Sequence, residues 1–216
     1  MIVREVRASG RANMSRLRSG NRTLLLSAGV IGAEGVLAAA FHLPVTADGP
    51  GQAPFAAETA RAEQAMNDLQ QALLARLKAA MESGGPAAAV EVCRTEARTI
   101  AEAVAKKQGI ELGRTSHGLR NPANAPRPWA RSIVEGGSGV KATAEKLRVI
   151  DLGDRVGVLR PIGTADACTR CHGPAEDVRR NIGATLAAAY PQDRATGFAP
   201  GDLRGWMWAE VPKGVK

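Results

Sequence analysis

Leu147-Arg148-Val149-Ile150-Asp151-Leu152 and Arg155-Val156-Gly157-Val158-Leu159-Arg160-Pro161-Ile162 are two β-branched runs joined by Gly153-Asp154. Two strand-forming runs separated by two residues of this type predict a β-hairpin, because glycine supplies the positive φ of a tight turn. A further strand is predicted from Gly205 to Val211. Upstream the period changes. From Glu58 to about Ser83, apolar residues recur at Ala62, Met66, Leu69, Leu73, Leu77 and Met81, a helical stripe that Gly84-Gly85 breaks. Pro86 suits the first turn of a second helix to about Lys107, with Val90, Cys93, Ala97, Ile100 and Val104 facing inward. Gly109 stops it. Ile110 to Thr115 reads as a short strand, and the three prolines between Asn121 and Pro128 impose an irregular loop. Pro128 and Trp129 open a short helix to Glu135, and Pro174 to Ala189 is another. Helices, strand, hairpin, helix and final strand, in that order, predict an α+β fold: a small antiparallel sheet with helices on one side.

Between the hairpin and the last helix lies Cys168-Thr169-Arg170-Cys171-His172. Two thiols three apart, followed at once by a histidine, form the attachment site of a c-type haem: the sulfurs add to the two vinyl groups and His172 reaches the iron. Half a zinc site and a dithiol redox pair are the competing readings. Structural zinc wants four ligands, and the other candidates are Cys93, His42 and His117. A thioredoxin-like pair needs no histidine, and no βαβ pattern precedes this one. One covalent haem c is therefore the expected cofactor. Trp129, Trp206, Trp208 and Tyr190 are candidate walls for the porphyrin, and core packing explains each equally well.

Such a haem is attached outside the cytoplasm, and the N-terminus reads as an export signal. Arg4, Arg7, Arg11, Arg16, Arg18 and Arg22 precede a largely apolar run from Thr23 to Ala40, and Val45-Thr46-Ala47 offers a cleavage site before Asp48. Glu34 within that run argues against a permanent membrane anchor more than against a cleaved signal. The expected organisation is a signal peptide or N-terminal anchor over 1–47, a tether over 48–57, one haem domain over 58–212 and a tail over 213–216. The expected location is the periplasm, with membrane contact only if the N-terminal segment stays uncleaved. The net charge of +8 invites a nucleic-acid reading, but removing 1–47 takes away six arginines against Glu5 and Glu34 and leaves +4. No basic run is interleaved with aromatics, so nucleic acid is excluded as a partner. With Cys168 and Cys171 committed to haem, Cys93 is either free or a ligand.

Several motifs now fall into one order: Ala89-Val90-Glu91-Val92-Cys93, Gly113-Arg114-Thr115-Ser116, Leu119 to Pro126, Arg160-Pro161-Ile162, Cys168 to Gly173, and Gly201-Asp202-Leu203-Arg204-Gly205. Together they resemble the signatures of a bacterial extracytoplasmic c-type haem domain family with a PAS-like fold, over about residues 58 to 212. The family is similar to periplasmic sensor modules and often precedes membrane-anchored signalling domains. The resemblance implies an unusual second axial ligand, the cysteine matched by Cys93, with His172 as the first. Spacing alone leaves Cys93 open between a thiolate ligand and a small buried hydrophobe. His117 is the rival ligand, read as a solvated or hydrogen-bonding side chain; Met66 and Met207 are read as core. Arg114 and Arg120 are candidates to hold the haem propionates, with Asn121 and Asn124 locking the loop; surface charge and turn chemistry are the plainer account of the four.

No nucleophile and base stand at catalytic spacing among the single Tyr190, three histidines and scattered carboxylates, so no enzyme is expected. A redox or gas sensor with a signalling partner is the first expectation. A small low-potential electron-transfer cytochrome with a redox partner is the second, and a peroxidase-like haem enzyme the least favoured.

Overall fold

A computed structural model describes residues 54–214. The signal-like segment, most of the tether and the end of the tail lie outside them. Helix α1 (Ala56–Thr95) holds two arms, because Gly84 and Gly85 leave helical geometry and Gly85 takes a φ of 66° that other residues avoid. The second arm starts at Pro86 and folds back on the first. Arg76 pairs with Glu96 at 2.6 Å, Ala80 packs with Ala89 and Val92, and Asp68 accepts from Gln108 of α2 (Ala97–Gln108) at 3.2 Å. The two arms with α2 form an antiparallel helical hairpin, and the predicted break falls where the sequence placed it.

The sheet has four antiparallel strands in the order β1-β4-β3-β2: β1 Glu111–Thr115, β2 Arg148–Asp151, β3 Arg155–Gly163 and β4 Leu203–Pro212. The hairpin turns at Gly153, whose φ of 93° is the positive value the reading required. Strand alternation gives the sheet two chemistries. Met207, Ala209, Val211, Val156 and Val158 pack on Ala62, Met66, Leu69 and Leu73 of the first α1 arm. On the opposite face Trp206 and Leu159 pack with Ala130 and with Val134 of α3 (Arg131–Glu135). The second face is therefore also covered, by a short helix and its loop, where helices on one side alone were expected. Between β3 and β4 come α4 (Thr169–His172) and α5 (Ala175–Ala189). This is an α+β, PAS-like architecture. Among the described residues no helix is long and apolar enough to cross a membrane.

Candidate functional site

The Cys-x-x-Cys-His stretch is one tight turn. A 3₁₀ turn, Asp166–Cys168, runs directly into α4, and the Thr169 hydroxyl donates to the Asp166 carbonyl at 2.7 Å. Gly173 ends α4: a Cβ there would lie 2.4 Å from the Thr169 carbonyl oxygen, so glycine alone fits. Cys168, Cys171 and Cys93 are free, half-buried thiols. Cys171 packs on Val90, Val178, Ile182, Leu186 and Tyr190, the apolar seam that brings the second α1 arm to α5. Burial pushes the Cys171 thiol up, against the pull of Arg120.

His172 is held by the loop after α5. Its Nδ1 lies 2.7 Å from the Ala195 carbonyl oxygen, which can only accept, so Nδ1 carries the proton and the Nε2 lone pair is left for a metal. Burial, with Arg204 and Arg120 adding to it, holds the imidazole well below its usual range. Burial thus favours the neutral imidazole. Backbone bonds fasten the same loop to the motif, with Phe198 N–H donating to His172 O at 2.9 Å and Gly197 N–H to Gly173 O at 2.7 Å. Arg120 completes the clamp. Its Nε donates to Asp193 at 3.1 Å and its Nη2 to the carbonyl oxygens of Cys171 at 2.6 Å and Ala195 at 3.4 Å, while Asp193 accepts from Ala195 N–H at 2.8 Å.

Cys93, on the second α1 arm, shares this electrostatic neighbourhood. Burial raises its thiol pKa, and Arg114, Arg120 and Arg204 oppose that rise; the same three arginines bear on His172. Motif and distant thiol are thus neighbours, with Cys171 packed against Val90 of the arm that carries Cys93. A thiolate here is disfavoured by burial, and a bound metal cation would supply the missing charge. The donor set fits a covalently held haem: two free thiols on one turn, an imidazole with Nε2 unencumbered, a third thiol on the neighbouring arm, and arginines in excess of carboxylates. Among the described residues no group of three or more His, Cys, Asp or Glu side chains converges as metal ligands, so the zinc reading finds no ligand set there.

Other predicted residues separate into near and far. Asn121 accepts from Ala123 N–H at 2.9 Å and caps the 3₁₀ turn Pro122–Asn124, while lining a shallow groove with Arg94 and Tyr190; Asn124 is exposed. Tyr190 lies beside Cys171. The three tryptophans do not wall this pocket: Trp206 is in the opposite-face core, Trp208 packs against it, and Trp129 donates to Glu210 at 2.8 Å. His117 is half-buried rather than solvated, tilted on Phe198 at 5.6 Å, with Nδ1 buried and unpartnered. Met66 and Met207 are core. Three residues were not singled out in the sequence. Arg204 sat unremarked inside a quoted motif, and Asp193 and Ala195 lie in a stretch with no periodic or spacing signal.

A four-stranded antiparallel sheet flanked by a helical hairpin, with a Cys-x-x-Cys-His turn clamped by the buried Arg120, defines a PAS-like domain. Residues 52–212 match the Tll0287-like family, and the chain belongs to that family. Its fold is similar to the crystal structure of the cyanobacterial heme-protein Tll0287, with a TM-score of 0.56 at 22% identity, over 76% of this chain and 99% of that one. No curated protein matches the chain.

Proposed function

We propose that this protein carries one haem c on Cys168 and Cys171, with His172 and Cys93 as axial ligands, and serves outside the cytoplasm as a redox or gas-responsive sensor. The observation that carries the reading is that the Cys-x-x-Cys-His turn packs, through Cys171, against Val90 on the helical arm that bears the half-buried thiol Cys93, with Arg120 fastened to the turn. The heme-protein of similar fold and the family membership support it. Haem of this type supplies a one-electron iron couple and a position at which a small diatomic ligand competes.

The chain's own residues then divide the work. Ala195 O fixes the His172 tautomer and orients the ring. Arg120 and Asp193 hold the strap that presents Ala195. Cys93 sits beyond the Gly84-Gly85 break, on an arm distinct from the one packed on the sheet, so loss of its bond is transmitted to a helix and not absorbed by the core. The Arg76–Glu96 pair tying the arms is exposed and opposes such a shift weakly. An electron carrier would instead keep the same ligands in both oxidation states.

Electron paramagnetic resonance of the ferric protein tests the ligand set. The wild type is expected to be low-spin and six-coordinate, and Cys93→Ala to change the spectrum while His117→Ala leaves it alone. An unchanged Cys93→Ala spectrum removes Cys93. Carbon monoxide binding to the reduced protein, with altered amide exchange over residues 86–107, supports the sensor; neither effect would leave the carrier.

A further inference from the structure

Three guanidiniums, Arg114, Arg120 and Arg204, bear on Cys93 and His172, and Asp193 is the carboxylate that reaches Arg120 and Arg204. Asp193 is spent on Arg120. Arg204 is anchored on one side only: its Nη1 donates to the Ser116 hydroxyl at 2.9 Å and the Gly118 carbonyl at 3.2 Å, and its carbon lies 5.0 Å from the Phe198 ring centre. Its Nε is buried with no acceptor. The Ser116 hydroxyl is itself saturated, donating to Arg204 O at 2.6 Å and accepting from Gly118 N–H at 3.1 Å, so it cannot turn to relieve that nitrogen. Arg114 projects from the helix-covered face of β1, opposite Met207, and among the described residues it has no hydrogen-bonding or ion-pair partner. Burial depresses both arginines, Arg204 to about 10. A buried guanidinium nitrogen without an acceptor, on Arg204, and a half-buried cation without a counter-ion, Arg114, are costly unless an anion completes them.

We propose that Arg114 and Arg204 form a two-point carboxylate seat for the propionates of the haem, and that Arg120 is not part of it. The assignment rests on the haem reading above. Two uncompensated guanidinium forks meet two carboxylates, and the planar fork suits each. Arg120 is excluded because its Nε and Nη2 are committed within the protein and Asp193 already balances its charge. The seat places the edge of the ligand at the meeting of β1 and β4, while the thiols hold its other side through α4.

Resonance Raman spectra of the holoprotein read propionate hydrogen bonding directly. Wild type is first denatured to show that haem is retained. Arg204→Gln and Arg114→Gln are each expected to downshift one propionate bending band, the double variant both, and Arg204→Lys to shift its band partway. Arg127→Gln, at the far end of the same strands, leaves the bands unmoved. A wild type that sheds its haem on denaturation refutes the parent reading and this assignment with it. Retained haem with bands insensitive to both substitutions refutes the seat alone.

Discussion

The strand pair β1–β4 carries an arginine cluster at each end, and the two differ in charge balance. At one end Glu111 and Glu210 face each other in register, a like-charged cross-strand pair that is unfavourable by itself. Arg127 and Arg155 resolve it. Arg127 donates to Glu210 at 2.6 Å and to Glu111 at 3.1 Å; Arg155 donates to Glu111 at 2.8 Å and Glu210 at 3.3 Å; Trp129 adds a third donor to Glu210. Two cations meet two anions. At the other end, three arginines stand against Asp193, which pairs with Arg120. A matched network is explained by the fold it holds, whereas an unmatched one asks for something the chain does not contain. Perturbing the two clusters in parallel therefore separates architecture from binding.

The largest effect is expected at the matched end. The Glu210 side chain is 5% exposed, so Glu210→Ala leaves the Trp129 N–H without its acceptor and leaves Arg127 and Arg155 with Glu111 alone. Removing one side of a buried ion pair costs about 3–5 kcal/mol, and because both arginines are partly exposed the low end, about 3 kcal/mol, applies. Urea denaturation of the haem-free chain measures it. A loss below about 1 kcal/mol would make the two ends alike and dissolve the comparison.

Asp193→Asn comes next. The amide keeps an acceptor for Ala195 N–H but leaves Arg120 uncompensated, so about 2 kcal/mol is expected by the same measurement. Covalent haem yield should also fall, since Ala195 O orients His172. Normal stability and yield would mean that the Arg120 charge is met elsewhere, and the three-to-one imbalance would be wrong.

Much of this architecture was legible, because local patterns specify local elements. The β-branched runs flanking Gly153-Asp154 gave the hairpin, and the Ala62 to Met81 stripe with Gly84-Gly85 gave the helix and its break. Both clusters were illegible for one reason: each depends on strand order. β4 lies between β1 and β3 although it comes last in the chain, and only that register sets Glu111 against Glu210 or brings Arg204 toward Arg114. Arg120 and Asp193 are 73 residues apart, with no periodicity joining them. The Cys-x-x-Cys-His turn was readable because its residues are adjacent in the chain. Its supporting clamp needs only proximity in space, which leaves no spacing to read.

A smaller effect is expected in acid. Burial works to raise the Glu210 carboxyl, but hydrogen bonds from Arg127 and Trp129 outweigh it and hold the pKa below the ordinary value. A folded-state pKa below the unfolded one adds stability that is complete above the unfolded value, near 4.3, and is lost as pH falls through the folded value. Stability should therefore fall on account of this group as the pH drops below the unfolded value and through the folded one. Glu210→Gln should flatten the urea midpoint over that window. An equally steep dependence in the variant would assign the acid sensitivity to other carboxylates.

The smallest effect is the sharpest test of the contrast. In the haem-free chain Arg114 makes no hydrogen bond or ion pair with any described residue, so Arg114→Gln removes a desolvated charge without orphaning a partner. Its neighbours Arg120 and Arg204 are like-charged, so losing it relieves repulsion there. Replacing an unpaired buried charge with a neutral group is neutral or mildly stabilising, here within about 0.5 kcal/mol of wild type or slightly above it. Arg127→Gln, a substitution of the same size at the matched end, should cost more than that in the same experiment, because Glu210 and Glu111 lose a shared donor. Thermal melts of the two haem-free variants side by side decide the matter. If Arg114→Gln destabilises as much as Arg127→Gln, Arg114 belongs to the protein's own framework, and the charge it carries was never waiting for a ligand.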